Sequence, residues 1–322
     1  MTTRIGMPAL LCGVVALGAL VAWAAPDGYR QSLVLTGLAY SLIALGMYVP
    51  FVLAGSLSMA YSAYAAIGAY GVAIVSSKLA LPVWAGWLVG PPVAALVAVG
   101  LGLATRRLSS FFLAAVTLLF AEAFAEWLAT AEGLTGGSAG LLNLPFLDFF
   151  GWQPAPEHMV LLAAVLVCLL TFALDRLRHS PWGVLVQTMR ETPIAVEAAG
   201  VRVPTLQLVA LGLGAAIAAL GGALFTTFAS AVNPKTFGTS VVFLAVFMPL
   251  IGGRHSPWGS LLGAGVVTWL TLDLDQLGAS GTLMVALGVL VIILVAPRGL
   301  LGYLRAGFAL VRERRWSGAA RR

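Results

Sequence analysis

Residues 206–229 read LQLVALGLGAAIAALGGALFTTFA and contain no charged side chain. A helix of about 20 predominantly apolar residues crosses the hydrocarbon core of a bilayer and satisfies its own backbone hydrogen bonds there. Comparable apolar runs extend in both directions from this one. They lie near residues 8–25, 33–53, 57–76, 82–103, 111–131, 158–174, 240–252, 258–272 and 281–297. We therefore predict an all-α, polytopic transmembrane helical bundle of about ten spans.

The composition of the whole chain excludes an ordinary soluble domain. Apolar residues make up 60% of the 322 positions and charged residues only 9%, whereas a soluble domain has about 45–50% and about 25%. The net charge of +6 does not indicate nucleic-acid binding, because the basic residues form no face interleaved with aromatic residues.

Lysine and arginine concentrate in alternate loops, which sets the orientation of the chain. With the N-terminus inside, fifteen of the 18 basic residues are cytoplasmic, and only Arg30, Lys78 and Lys235 are external. The long loop near 132–157 contains no lysine or arginine, as expected of an external loop. We predict that both ends are cytoplasmic, with a transmembrane permease domain at 1–303 and a basic cytoplasmic tail at 304–322.

Three segments allow a second interpretation. Residues 1–25 resemble a cleavable signal peptide, but we favour a retained first span because the apolar run is long enough to cross. The short runs on either side of Gly252-Gly253 fit full spans or re-entrant segments. The arginine-rich tail fits a segment lying on anionic lipid or a solvated end.

The cytoplasmic loop at about 175–205 contains two helix-start signals. Ser180-Pro181 and Thr192-Pro193 each combine an N-cap residue with a proline at the first helical position. The second helix covers residues 194–199 and stops at Gly200, which suits a left-handed cap. So short a helix is unstable alone. Because it carries apolar residues beside the membrane, it needs a partner surface or the ends of the chain's own spans to pack on.

Nothing in the sequence indicates catalysis. A phosphate-binding loop ends in Gly-Lys-Ser/Thr, but Lys78 is followed by leucine and Lys235 is preceded by proline. Cys12 and Cys168 lie in apolar runs, and no His, Cys and carboxylate spacing suits a metal site or a nucleophile. We therefore predict a non-catalytic chain with no cofactor, and ATP hydrolysis, if it drives transport, on a separate chain.

The sequence Arg190-Glu191-Thr192-Pro193-Ile194-Ala195-Val196-Glu197-Ala198-Ala199-Gly200 resembles the coupling loop of the membrane permeases of ATP-binding-cassette importers for branched-chain amino acids. Further matches to this family occur in order between about residues 35 and 303. They are Ala115-Val116-Thr117-Leu118 with Glu122, Leu134-Thr135-Gly136-Gly137-Ser138, Ser180-Pro181-Trp182-Gly183, Gly221-Gly222-Ala223-Leu224, Asn233-Pro234, Gly252-Gly253, Trp258-Gly259 and Pro297-Arg298-Gly299-Leu300. Single glycine motifs are weak, since small residues recur wherever membrane helices pack closely, but the ordered set is specific.

The resemblance implies a permease subunit forming part of the translocation pathway for branched-chain or related amino acids in a bacterial inner membrane. It implies cytoplasmic ATPase subunits, a second homologous permease and an extracytoplasmic solute-binding protein as partners. The implied ATPase-coupling residues are Arg190, Glu191, Ile194, Glu197, Ala198 and Gly200. Relatives that carry urea, short amides or sugars share this architecture, so another small polar solute is an alternative. A self-sufficient secondary transporter and a non-transporting scaffold are further alternatives.

The candidate substrate-pathway residues lie on the third and fifth spans: Ser56, Ser58, Tyr61, Thr117 and Glu122. Where the family usually has Gly-Gln-x-Ser-x-Gly-His, this chain has Gly55-Ser56-Leu57-Ser58-Met59-Ala60-Tyr61, and the departure bears on the substrate. An unwound Gly/Ser turn there would offer backbone groups to a zwitterionic ligand; alternatively, the hydroxyls serve close helix packing. Glu122 either contacts a substrate ammonium group or hydrogen-bonds a neighbouring helix.

Overall fold

The computed structural model describes residues 18–24, 26–106, 108, 110–148, 153–253, 256–274, 287–288, 290–291, 294 and 299–303. Within these residues the long elements are all helices, and extended backbone pairs at an antiparallel bridge between Leu141 and Val232. The predicted spans at 8–25 and 281–297 lie mostly outside the described residues, and the basic tail lies wholly outside them.

The helices occupy most of the described chain. They are α1 (Gly28–Met47), α2 (Tyr61–Ser77), α3 (Val83–Thr105), α4 (Ser110–Thr130), α5 (Glu132–Thr135), α6 (Pro156–Arg178), α7 (Pro181–Glu191), α8 (Pro193–Ala198), α9 (Val203–Ala229), α10 (Thr239–Gly252) and α11 (Pro257–Leu274). A π-helical turn, Tyr48–Leu53, extends α1, and 3-10 turns lie at Gly137–Ala139 and Pro234–Phe237.

The predicted inner spans each coincide with one of the long helices. Six helical segments in the described chain are long and apolar enough to cross a membrane: Gly28–Leu53, Val83–Thr105, Phe111–Thr130, Pro156–Arg178, Val203–Ala229 and Pro234–Gly252. The chain is thus a multi-pass, all-helical membrane protein. Several boundaries differ by a few residues. The third span, placed at 57–76, begins only at Tyr61, because residues 54–60 are unwound.

Helix α9 is the centre of the bundle and packs against α1, α2 and α3. Small residues let its backbone touch theirs. A β-carbon on Gly222 would overlap the carbonyl oxygen of Ala65 in α2, and one on Gly68 would overlap the carbonyl oxygen of Ala219. In lipid the hydrophobic effect does not drive helices together, because lipid tails are as apolar as the side chains. Close van der Waals contact of this kind therefore contributes to the association of the helices.

The two short runs around Gly252-Gly253 form a helical hairpin, α10 and α11. The helices touch near their shared turn, where a β-carbon on Gly263 would overlap the Met248 carbonyl oxygen. Helix α11 also lies along α1, with Thr268 packed over Gly37. The hairpin is therefore an integral part of the bundle.

Loops gather at the two ends of the bundle. At one end Arg190 contacts Val52, and Ser56, Arg106 and Pro204 line a common cavity. At the other end Leu141 pairs with Val232, and the Asn233 side chain donates to the Ser138 carbonyl oxygen at 3.2 Å. The outward faces between the ends are apolar, as Leu96 at 72% exposure illustrates, which suits contact with lipid tails.

Candidate functional site: the coupling loop and the unwound segment

Helix α1 loses its regular hydrogen bonding at Pro50. Proline has no N–H to donate to the carbonyl oxygen of Gly46, and the Tyr61 hydroxyl donates to that oxygen instead, at 3.2 Å. The π-helical turn that follows is closed by the Ala54 N–H donating to the Val49 oxygen at 3.2 Å. Residues 54–60, called here the unwound segment, then run without helical structure to the start of α2.

Backbone groups freed by such a break must be satisfied inside the protein, because lipid offers no hydrogen bonds. Side chains from two distant elements do this. The hydroxyl of Thr117 in α4 accepts a hydrogen bond from the Met59 N–H at 2.7 Å. An Nη of Arg190 in α7 donates to the Val52 carbonyl oxygen at 2.5 Å. The break is therefore held by the side chains of Tyr61, Thr117 and Arg190.

Four of the five predicted pathway residues come together around the unwound segment. Ser56, Ser58, Tyr61 and Thr117 are all at most 5% exposed. Ser56 lines a cavity of about 60 Å³, large enough for a few water molecules. Of the two interpretations offered for residues 55–61, the backbone there is unwound, but the hydroxyls of Tyr61 and Thr117 are engaged with backbone groups. Contact of these residues with substrate stays a prediction.

Glu122 lies apart from that group. It is exposed on α4, and its carboxylate accepts a hydrogen bond from the Thr239 hydroxyl at 2.5 Å. Thr239 is the first residue of α10, so the bond joins α4 to the helical hairpin. Of the two interpretations offered for Glu122, the hydrogen bond to a neighbouring helix is the one present.

Helix α7 is anchored to the end of α6. The Ser180 side chain accepts a hydrogen bond from the Gly183 N–H at 3.2 Å, as its N-cap position predicts. The Gln187 side chain donates to the Arg178 carbonyl oxygen at 2.9 Å. Val186 and Met189 are buried in the same apolar cluster as the π-helical turn. Helix α7 thus packs on the broken end of α1.

Helix α8 is short and ends as predicted. Gly200 has φ +80°; its N–H donates to the Glu197 oxygen at 2.9 Å, and the Val201 N–H donates to the Val196 oxygen at 3.2 Å. These two bonds define a Schellman cap, and the left-handed conformation of Gly200 is confirmed. Thr192 is the N-cap of α8 and Pro193 its first residue, as predicted, but the Thr192 hydroxyl makes no cap bond to α8 and lies 3.4 Å from the Thr188 oxygen, because Thr192 also closes α7.

The surface of α8 is open. Val196 is buried and ties the helix to the bundle, whereas Ile194 is 80% exposed. The other predicted coupling positions, Glu191, Glu197, Ala198 and Gly200, are exposed too. Arg190 is exposed as well, but unlike the others its side chain reaches back to the unwound segment, where it donates to the Val52 carbonyl oxygen.

Sequence reasoning missed the partners that hold the break in α1. Pro50 within the run 33–53 was the available signal, since an interior proline removes a helical hydrogen bond and kinks or breaks a helix. The identity of the compensating donors, Tyr61 and Arg190, depends on which helices meet there, and Thr239 as the partner of Glu122 was missed for the same reason.

Comparison with known proteins agrees with this architecture. Residues 29–296 match the family model described as the permease component of the branched-chain amino acid transport system. The chain belongs to this family. Membership in a family of transport-system permeases makes the chain a non-catalytic membrane subunit.

Characterised relatives of this permease include the high-affinity branched-chain amino acid transport system permease protein LivM of Escherichia coli (strain K12). It is 29% identical over 289 residues, covering 81% of this chain and 67% of the relative. LivM of Salmonella typhimurium matches equally well. The fructose import permease protein FrcC of Rhizobium meliloti is 31% identical over 165 residues, covering 48% of this chain and 45% of the relative. No solved structure matches this permease at a significant level.

Proposed function

We propose that this permease forms half of the membrane pathway of an ATP-driven importer, paired with a second related permease in a bacterial inner membrane. Cytoplasmic ATPase subunits dock on α8, and an extracytoplasmic solute-binding protein delivers the substrate. The observation that carries the proposal is the surface of α8. Ile194 is 80% exposed on a helix held by buried Val196, and an exposed aliphatic side chain on so short a helix suits a partner.

The topology belongs to the same proposal. Ten spans with both ends in the cytoplasm are supported by the fifteen-to-three distribution of basic residues. The clustering of the unwound segment and the coupling loop at one end of the bundle supports it as well.

The proposed substrates are branched-chain or related amino acids. The names of the LivM relatives support this class. A sugar or another small polar solute is the second candidate, favoured by the similarity to a fructose import permease over about half of the chain and by the departure at residues 55–61. Proteoliposomes containing the complete importer would discriminate: excess unlabelled leucine should suppress labelled leucine uptake, and fructose should not. Uptake of fructose without uptake of leucine would reverse the assignment.

The docking role of α8 is tested by co-purification of the ATPase. Replacing Ile194 by asparagine removes an apolar side chain whose burial is worth about 1.5–3 kcal/mol, so binding should weaken by about tenfold or more. Val184→Asn changes an aliphatic residue of α7 that is also exposed and should leave co-purification unchanged. Equal binding by the wild type and Ile194→Asn would remove α8 as the docking site.

A further inference from the structure

We propose that Arg190 is a positioning residue that transmits movement of the coupling loop to the unwound segment and is not needed for docking of the ATPase. This inference rests on the proposed function, because it needs an ATPase that moves α8. The residue lies at the C-terminal end of α7, and its side chain leaves the exposed loop surface to reach the broken end of α1.

The hydrogen bond of Arg190 fills a gap that the break itself creates. In a continuous helix the Val52 carbonyl oxygen would accept from the N–H four residues later, on Ser56. That N–H instead donates to the Pro50 oxygen at 2.8 Å. The Val52 oxygen accepts from the Arg190 guanidinium, and a hydrogen bond from a charged donor is about twice as strong as a neutral one.

The stem of the same side chain lies against Gly55. A β-carbon on Gly55 would come within 2.8 Å of the Arg190 Cγ, and Gly55 itself has φ +70°. The guanidinium and the stem thus contact the chain on both sides of the point where the helix ends. On the same helix, Val186 and Met189 pack on the π-helical turn. Helix α7 and the broken end of α1 are therefore expected to move together.

The connection to α8 is covalent and short. Arg190 stands two residues before Thr192, where the chain bends (φ −142°, ψ 78°) into α8. A displacement of α8 by a docked partner therefore pulls on Arg190 and, through it, on the unwound segment. The far end of that segment is held by Thr117 through the Met59 N–H. The unwound segment is therefore held at both ends by side chains from other helices, so a pull on one end changes its conformation.

The test uses the complete importer in proteoliposomes. Arg190→Ala should still co-purify with the ATPase and hydrolyse ATP, but substrate taken up per ATP hydrolysed should fall severalfold, because the Val52 carbonyl oxygen loses its charged donor. Arg190→Lys should recover most of the uptake, because a single hydrogen bond does not need the guanidinium fork. The matched control is Arg202→Gln, an exposed arginine at the other end of the same loop, which should transport normally.

A second measurement reports on the unwound segment directly. In a background with Cys12 and Cys168 replaced by serine, a Leu57→Cys variant should react with a maleimide at a rate that changes when ATP is added. Arg190→Ala should abolish that ATP dependence while the protein still folds and hydrolyses ATP with its partner. A residue needed only for folding would instead lower the yield or activity of the whole complex. If Arg190→Ala is not recovered from membranes, Gly55→Ala tests the same contact from the opposite side and should uncouple uptake from hydrolysis.

The outcomes separate this inference from the proposed function. Normal uptake per ATP in Arg190→Ala, or loss of ATPase co-purification in that variant alone, would overturn the role of Arg190 while leaving the importer intact. A wild-type permease that neither co-purifies with an ATPase nor supports ATP-dependent uptake would instead refute the proposed function.

Discussion

The Thr117 hydroxyl in α4 accepts a hydrogen bond from the backbone N–H of Met59 at 2.7 Å, across 58 positions of sequence. The same hydroxyl donates to the Leu113 or Ala114 carbonyl oxygen of its own helix, at 2.8 and 3.0 Å. Thr117 is 1% exposed, so its hydrogen bonds are shielded from solvent. One side chain thus connects the fifth predicted span to the unwound segment.

Replacing Thr117 by valine should therefore impair transport. The shape is kept, but the Met59 N–H loses its acceptor, and an unsatisfied buried donor costs about 1–3 kcal/mol. Uptake by variant and wild type should be compared at matched protein levels. Thr117→Ser keeps the hydroxyl and should transport nearly normally; equal activity of the valine and serine variants would show that the bond is dispensable.

Glu122 discriminates between an ATP-driven importer and an ion-coupled secondary transporter. Glu122→Gln removes the charge but keeps an oxygen that can accept from Thr239. The importer proposal expects ATP-dependent uptake to persist in this variant, and a Glu122→Ala variant to be less stable because the bond is lost. Uptake driven by an ion gradient that disappears in Glu122→Gln would support the secondary transporter.

Gly200 should matter for coupling more than for folding. Its φ of +80° costs a β-branched residue about 1–2 kcal/mol, yet no atom lies within 4 Å of its missing β-carbon. Gly200→Val should therefore insert and express, while uptake and ATPase co-purification both weaken. Gly200→Asn, which tolerates the left-handed conformation, is the control. Normal uptake with Gly200→Val would assign the loop to packing on the chain's own spans.

Gly222 should be a stability position. Even alanine places a carbon onto the Ala65 carbonyl oxygen, and overpacking of this kind costs about 1–3 kcal/mol. Gly222→Ala should lower the melting temperature in detergent, followed by fluorescence-detected size exclusion after heating. Gly100→Ala is the matched control, since nothing lies within 4 Å of that helical glycine. Similar melting temperatures for the two variants would mean that the α2–α9 contact is softer than its geometry indicates.

The orientation can be tested with reporter fusions. A reporter joined after Leu142, in the loop at 132–157, should report the outside, and one joined after Arg202 should report the cytoplasm. The reason is the fifteen-to-three distribution of lysine and arginine. Opposite signals at the two positions would invert the proposed topology.

Features that depend only on residues close together in the sequence were predictable from it. Apolar length alone marked the spans, because a bilayer requires about 20 such residues in a helix. The cap at Ser180 and the left-handed Gly200 were also predictable, since both conformations are decided within one helical turn. The helix start at Thr192 was predictable in the same way, although its side chain makes no cap bond because Thr192 also ends the preceding helix.

The contacts at the break in α1 could not be predicted from residues close in the sequence. Pro50 and Gly55 mark it in the sequence, but only the tertiary structure decides that Tyr61, Thr117 and Arg190 satisfy the backbone there. Those donors and acceptors come from residues 15 to 138 positions away, and their meeting depends on how closely the small residues of α9 let the helices cross. The sequence by itself therefore determined a helical membrane protein with a capped loop at residues 175–205, whereas the packing of the helices decided which side chains join that loop to the unwound segment.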